Sequence, residues 1–327
     1  MVGRAGRPQY DTEATAVIMT RNADKARYQS LLGGCEPLQS YLHKRLAENL
    51  NSEAALGTVG DVAQCVQWLN STFLNVRAAR DPRRYLGLPQ NAPKQLITKK
   101  IEELCVRAMN SLASSGLIRM DEACCIQSTE AGQLVSVYYI DVETMKNIMK
   151  MTGSESLESI LWLVCESHEL SDMHLRVDER RYLNALNRNN AAAAIRFPMK
   201  GKINTRQMKL NCIIQAVLGC LPIPDPSLNQ EAMKIMRIAA RVCKCLVAYV
   251  TGPFLSQKTN IYSAVLNALV LNKCVKAHLW ENSPYLSKQL KGIGPTYSSL
   301  LASVGKINFM LLEESHPRDL ERRQRFA

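Results

Sequence analysis

The chain has 327 residues, enough for two or three domains around a substantial core, and 41 Lys and Arg against 29 Asp and Glu give it a formal charge of +12. That excess favours an anionic partner such as nucleic acid, and neither a run of about eighteen apolar residues nor an apolar leader is present to support a membrane span or a secretory signal. Eleven cysteines without a C-x-x-C pair, and five histidines that make no ligand-spaced cluster with them, point to reduced thiols in a soluble intracellular protein rather than to a metal or disulfide framework. Cys124-Cys125 and Cys243 with Cys245 lack the spacing of a zinc site, so no metal is expected. Only five Phe and three Trp stand beside many Leu, Ala, Asn and Met, which favours helix over sheet.

At the N-terminus, Gly3-Arg4-Ala5-Gly6-Arg7-Pro8-Gln9-Tyr10-Asp11 sets two arginines among small residues that let backbone approach a ligand. Planar guanidinium forks match phosphate oxygens, so Arg4 and Arg7 read either as half of a nucleotide site or as an exposed basic turn. Ala14 to Thr20 reads as one buried strand. Leu42, Leu46 and Leu50 mark an amphipathic helix from Leu38 to about Leu56, and Val62, Val66, Leu69, Phe73 and Val76 mark a second. A third helix runs from about Ile97 to Ser115, with Lys99, Lys100 and Arg107 off its apolar face. Gly116 stops it, Leu117-Ile-Arg-Met120 and Cys125-Ile126 read as two short strands around a turn at Asp121-Glu122, and Thr129 opens a helix through Tyr139. Three helices and a hairpin make a winged-helix pattern. Its third helix is not notably basic on one face, which favours packing against neighbouring protein over direct contact with nucleic acid.

From Asp141 onward helices dominate, over Thr144 to Met151, Leu157 to Glu166 and Val177 to Leu186. Arg196-Phe-Pro-Met-Lys-Gly201 reads as an extended linker, Thr205 caps a helix to Gly219, and Leu221-Pro-Ile-Pro-Asp-Pro226 is a stiff connector. The helix Leu228 to Val250 carries an apolar stripe of Met236, Ala240, Cys243, Val247 and Val250, while Lys234, Arg237, Arg241 and Lys244 recur at three, four and three. Those cations repel one another by roughly 0.2–0.5 kcal/mol per pair, a strain that an anion along the helix relieves; a solvated basic face is the plain alternative. Tyr249 is the one interleaved aromatic. A further helix spans Ile261 to Trp280. In Ser287-Lys-Gln-Leu-Lys-Gly-Ile-Gly294-Pro295 a glycine-x-glycine turn joins two short helices, where exposed amides at Gly292 and Gly294 beside Lys288 and Lys291 suit a backbone phosphate.

Gly3 to Asp11 is similar, nearly residue for residue, to the last motif of the second RecA-like domain in superfamily two DExH helicases of the Ski type. Leu42-His-Lys-Arg-Leu, Trp68-Leu-Asn-Ser-Thr-Phe-Leu and Thr129-Glu-Ala-Gly with Tyr138-Tyr139-Ile140 resemble the winged helix of the same helicases. Arg196-Phe-Pro-Met, Met208-Lys-Leu-Asn-Cys-Ile-Ile-Gln-Ala and Leu279-Trp-Glu-Asn-Ser look closest to the meiotic, crossover-promoting DNA helicase branch. The resemblance implies a mainly α chain: a RecA-like remnant with its strand (1–35), a winged-helix domain (36–140), a helical ratchet bundle (141–285) and a helix-hairpin-helix with a basic tail (286–327), the Arg318 to Arg325 cluster reading as solvated. It implies the C-terminal part of an ATP-dependent three-prime to five-prime DNA helicase of meiotic recombination. It assigns Arg4 and Arg7 to the nucleotide site, Lys234, Arg237, Arg241 and Lys244 with the glycine turn to nucleic acid, and the nucleus as location. Single-stranded or branched DNA and meiotic recombination proteins are the implied partners, ATP and Mg2+ the cofactors of the complete family protein. No G-x-x-x-x-G-K-[ST] loop or Asp-Glu-x-His motif occurs in the sequence, so neither cofactor is expected on this chain alone. A protein-binding scaffold and a part of a related RNA helicase remain the alternatives.

Overall fold

Apolar residues that recur at three and four along most of the chain leave helix as the way to bury them together, and the computed structural model is mainly helical. It describes residues 6, 9–11, 13–34, 38–188, 195–223, 225–255 and 261–316. After α1 (Asn22–Leu32), a 3-10 turn (Leu42–Arg45) leads into α2 (Leu46–Leu56), α3 (Val62–Ser71), α4 (Phe73–Arg80), α5 (Pro82–Leu86) and α6 (Lys94–Ser114). The hairpin β1 (Ile118–Met120) and β2 (Ile126–Ser128) precedes α7 (Glu130–Tyr138), α8 (Val142–Met149), α9 (Leu157–Cys165), α10 (Glu179–Arg188) and α11 (Arg206–Leu218). The long α12 (Pro226–Thr251), α13 (Tyr262–Ala277), α14 (Pro295–Ser303) and α15 (Phe309–Glu313) complete the order.

Two expectations are corrected. Ala14 to Thr20 forms no strand; it is irregular and solvated, with Val17 81% and Met19 94% exposed. A lone apolar run has no neighbouring strand among the described residues to take its backbone groups, and α1 after it buries no side chain. The second predicted helix is split. Thr72 is extended and its hydroxyl donates to the Leu69 carbonyl at 2.6 Å, ending α3 before α4 begins.

The winged helix is built as predicted, from α2, α3, α6 and the hairpin, in which Arg119 pairs with Gln127. Asp61 does two jobs: its carboxylate accepts from Gln64 N at 2.7 Å to cap α3, and its backbone forms a bridge with Cys125 at the wing. Buried Asn51 on α2 donates to Gly132 O at 2.8 Å and Ser136 Oγ at 3.1 Å, tying α2 to α7. Gly132 is glycine because a Cβ there would lie 2.1 Å from Leu117 O. Helix α7 also packs on α12, and α12 on α9, α11 and α13, so one buried apolar cluster runs from Leu46 to Trp280. Trp280 N donates to Leu218 O at 3.0 Å, which hangs the last helices on the end of α11.

Candidate nucleic-acid interface

Asp225 caps α12 by accepting from Ser227 N at 3.0 Å, and Pro226 supplies a first-turn φ that costs no hydrogen bond. With 26 residues the helix is about 39 Å long. Its inward face is Leu228, Ala232, Ile235, Met236, Ala239, Val242, Cys243, Leu246 and Val250. The predicted stripe is thus broader and shifted, with Ala240 and Val247 only half-buried, because α7, α9, α11 and α13 all pack against one helix.

On the remaining face Lys234, Arg237 and Lys244 are exposed and Arg241 is half-buried. Ten residues separate Lys234 from Lys244, so the charges cover about 15 Å of helix. Among the described residues no carboxylate pairs with any of them, and Arg241 Nε is buried without a hydrogen-bond partner. Glu231, the single acid of α12, is withdrawn: its carboxylate accepts from Lys209 Nζ at 2.9 Å and from Arg176 at 3.2 Å. A face of unneutralised cations on a rigid rod is the result, suited to an anion that runs lengthwise. Tyr249 does not serve it, being buried and stacked on Phe254 at a 4.6 Å centroid distance.

The glycine turn forms a separate surface, anchored on α11 rather than α12. Gly292 has φ +90°, a left-handed conformation that requires glycine, whereas Gly294 is an ordinary extended N-cap of α14; a Cβ at either would meet open space. Buried Ser287 and Ser298 hold the turn through a 2.8 Å hydroxyl contact. Lys291 is exposed, but Lys288 is diverted and donates to Cys220 Sγ at 3.5 Å. Tyr297 on α14 is 49% exposed beside this turn; as a lone aromatic it leaves no spacing signal in the sequence. On α6, Lys100 is neutralised by Glu103 at 2.8 Å, which weakens that helix as a phosphate contact. Arg4 and Arg7 lie outside the described residues.

The segments that carried the family resemblance meet in space. Arg196 sits over the rings of Phe197 and Trp280 at 5.2 and 5.0 Å and pairs with Glu281 at 2.7 Å. Gln215 brackets Phe197, accepting from its N at 2.7 Å and donating to its O at 3.1 Å. These motifs lock the linker onto α11 and α13; they are architectural. Burial pushes the thiols of Cys243 and Cys245 up to about 12, so both are protonated core residues. No group of three or more His, Cys, Asp or Glu among the described residues could hold a metal ion, and no helix there is long and apolar enough to cross a membrane.

A Sec63 Brl domain model matches residues 128–311, and a Winged Helix-turn-helix domain model matches residues 39–122. The chain belongs to the Sec63 Brl domain family. It is 45% identical over 321 residues to the Probable ATP-dependent DNA helicase HFM1 of Xenopus tropicalis, covering 98% of this chain and 24% of that protein. It is 30% identical over 309 residues to the ATP-dependent DNA helicase MER3 of Saccharomyces cerevisiae, covering 90% of this chain and 25% of the other. With the U5 small nuclear ribonucleoprotein 200 kDa helicase of Drosophila melanogaster it shares 30% over 288 residues, 86% of this chain and 13% of that one. The resemblance to the meiotic branch of the Ski-type helicases therefore extends over nearly the whole chain. The chain spans about a quarter or less of the length of these relatives.

Proposed function

We propose that this Sec63 Brl chain is the strand-holding part of an ATP-dependent DNA helicase acting in meiotic recombination in the nucleus, and that Lys234, Arg237, Arg241 and Lys244 track the phosphates of single-stranded or branched DNA. The domain limits 36–140, 141–285 and 286–327 belong to this reading, as do three-prime to five-prime movement and meiotic recombination proteins as partners. The observation that supports it is the cationic face of α12, which no carboxylate neutralises among the described residues; Glu231, the one acid of the helix and within reach of Lys234, is turned to Lys209 and Arg176. Mechanistically, α12 is a fixed rod with its apolar face in the core, so charge on its outer face holds a strand without reorganising when the strand arrives. The glycine turn, with Lys291, Gly292 and Gly294, adds a second backbone contact. ATP use is carried by the names of the ATP-dependent relatives, and Mg2+ belongs to this reading as the ion that accompanies the nucleotide. On that reading Arg4 and Arg7 face a nucleotide whose phosphate loop is not in this sequence.

The test uses the 327-residue chain and a labelled single-stranded oligonucleotide, with affinity measured across salt concentrations. A strand neutralising Z phosphates gives a slope of roughly −0.7Z, so changing Arg237, Arg241 and Lys244 together to Ala flattens it by about 2. An unchanged slope and affinity in a folded variant discards the assignment.

A further inference from the structure

We propose that the groove between α10 and the segment 202–204 is a second phosphate-binding site that holds nucleic-acid backbone away from the α12 face. The proposal rests on the chain's being a nucleic-acid-binding module, but not on which residues of α12 take part. The groove has a volume of about 610 Å3, and Arg180, Arg181, Arg188 and Lys202 line it with Asn184 and Asn204. Among the described residues no carboxylate lines it. Arg180, Asn184 and Arg188 recur at four, so they stack along one face of α10, with Arg181 beside them. The acid that opens α10, Glu179, is 4% exposed and points the other way, to Lys209 Nζ at 2.8 Å and to Arg176.

The walls are held in place by two side-chain amides, half-buried Asn184 and buried Asn187. Asn184 donates to Arg180 O at 2.7 Å and accepts from Ile203 N at 2.9 Å. Asn187, 6% exposed, accepts from Met199 N at 2.7 Å and donates to Met199 O at 2.8 Å and Gly201 O at 3.2 Å. The backbone that carries Lys202 is thereby tied to α10 before any ligand arrives. Four cations held around a concave space repel one another, and an anion between them relieves that repulsion. Three guanidinium forks select oxyanions with several acceptor oxygens, of which phosphate is the best match.

The lining also decides what kind of phosphate compound fits. Among the described residues no aromatic ring lines the groove, since Tyr182 on α10 donates instead to Pro222 O. Bases therefore have no stacking surface, and the site reads backbone. The Tyr182–Pro222 contact ties α10 to the connector before α12, and the Arg176–Glu231 pair at 3.2 Å ties the segment before α10 to the first turns of α12. Sequence reasoning passed over these cations because their spacing along α10 is unremarkable and Lys202 lies in a loop.

The experiment pairs two variants of the full chain, Arg180→Gln/Arg181→Gln/Lys202→Gln and Arg237→Ala/Arg241→Ala/Lys244→Ala, titrated with fluorescein-labelled oligothymidine at several salt concentrations. The groove variant is expected to bind more weakly, with a salt slope flattened by about 2. Wild-type slope and affinity in the groove variant beside a weakened α12 variant overturn the groove and leave α12 standing; the converse pattern discards α12 and leaves the groove. Acetylation of Lys202 in the wild-type chain, followed by mass spectrometry, gives a readout independent of variant folding. Oligothymidine is expected to protect Lys202 several-fold. Absence of protection, or protection by a phosphopeptide alone, overturns the nucleic-acid assignment.

Discussion

Changing Lys209 to Met would expose how α12 is seated. Lys209 is fully buried on α11, and its ammonium donates to His174 O at 2.7 Å, Glu179 at 2.8 Å and Glu231 at 2.9 Å. Arg176 caps the same two carboxylates from a more exposed position. Removing the ammonium leaves two carboxylates, one of them buried, facing a single guanidinium, and stripping one partner from a buried ion pair costs about 3–5 kcal/mol. Unfolding entropy near 2.1 cal/mol/K per residue over 327 residues makes that a melting point lower by about 4–7 °C if the chain unfolds as one unit. Differential scanning calorimetry reads it. Adding Glu179→Gln removes the stranded buried charge and is expected to recover at least half of the loss, a coupling that independent sites would not give. A single variant within about 1 °C of wild type, or a double variant worse than the single one, would refute the argument that this cluster seats the helix.

Gly132→Ala puts a methyl group 2.1 Å from Leu117 O and 2.9 Å from Asn51 Oδ1, both on packed elements; thermal or urea unfolding is expected to show a loss of about 1–3 kcal/mol or more. An unchanged midpoint would mean that the wing moves freely. Desolvation, helped by Lys44 and Arg84, holds the His43 imidazole below its usual value of 6.5, and its ring sits edge-on to Tyr85 at 5.2 Å. The folded winged helix thus binds fewer protons there than the unfolded chain, so stability is complete above pH 6.5 and falls as pH drops from 6.5 toward the depressed folded value. His43→Gln is expected to flatten that limb of a stability-against-pH curve, and a curve unchanged in shape would remove His43 as its cause.

The sequence by itself determined the helices, the wing and the chemistry of the long basic helix. Periodicities of three and four locate α6, α7, α11 and α12 to within a few residues, because each must bury one face; they also find the end of α2, whose predicted start at Leu38 is eight residues early because residues 38–41 are irregular and Leu42–Arg45 form a 3-10 turn. The arginine and lysine spacing on α12 is likewise a fact of sequence. Tertiary structure decided which charges are free. Glu231 is three residues from Lys234 and would pair with it on an isolated helix; buried Lys209 takes it instead. Lys288 is drawn onto Cys220, and Tyr249 is committed to Phe254, for the same reason: a neighbour distant in sequence competes for the side chain. Ala14 to Thr20 shows the converse limit, since an apolar run specifies a strand only where another strand exists to accept its hydrogen bonds. The α10 groove lies beyond local pattern altogether. Its fourth cation comes from a loop that Asn184 and Asn187 fold back on the helix, and long-range amide contacts of that kind leave no period in a sequence.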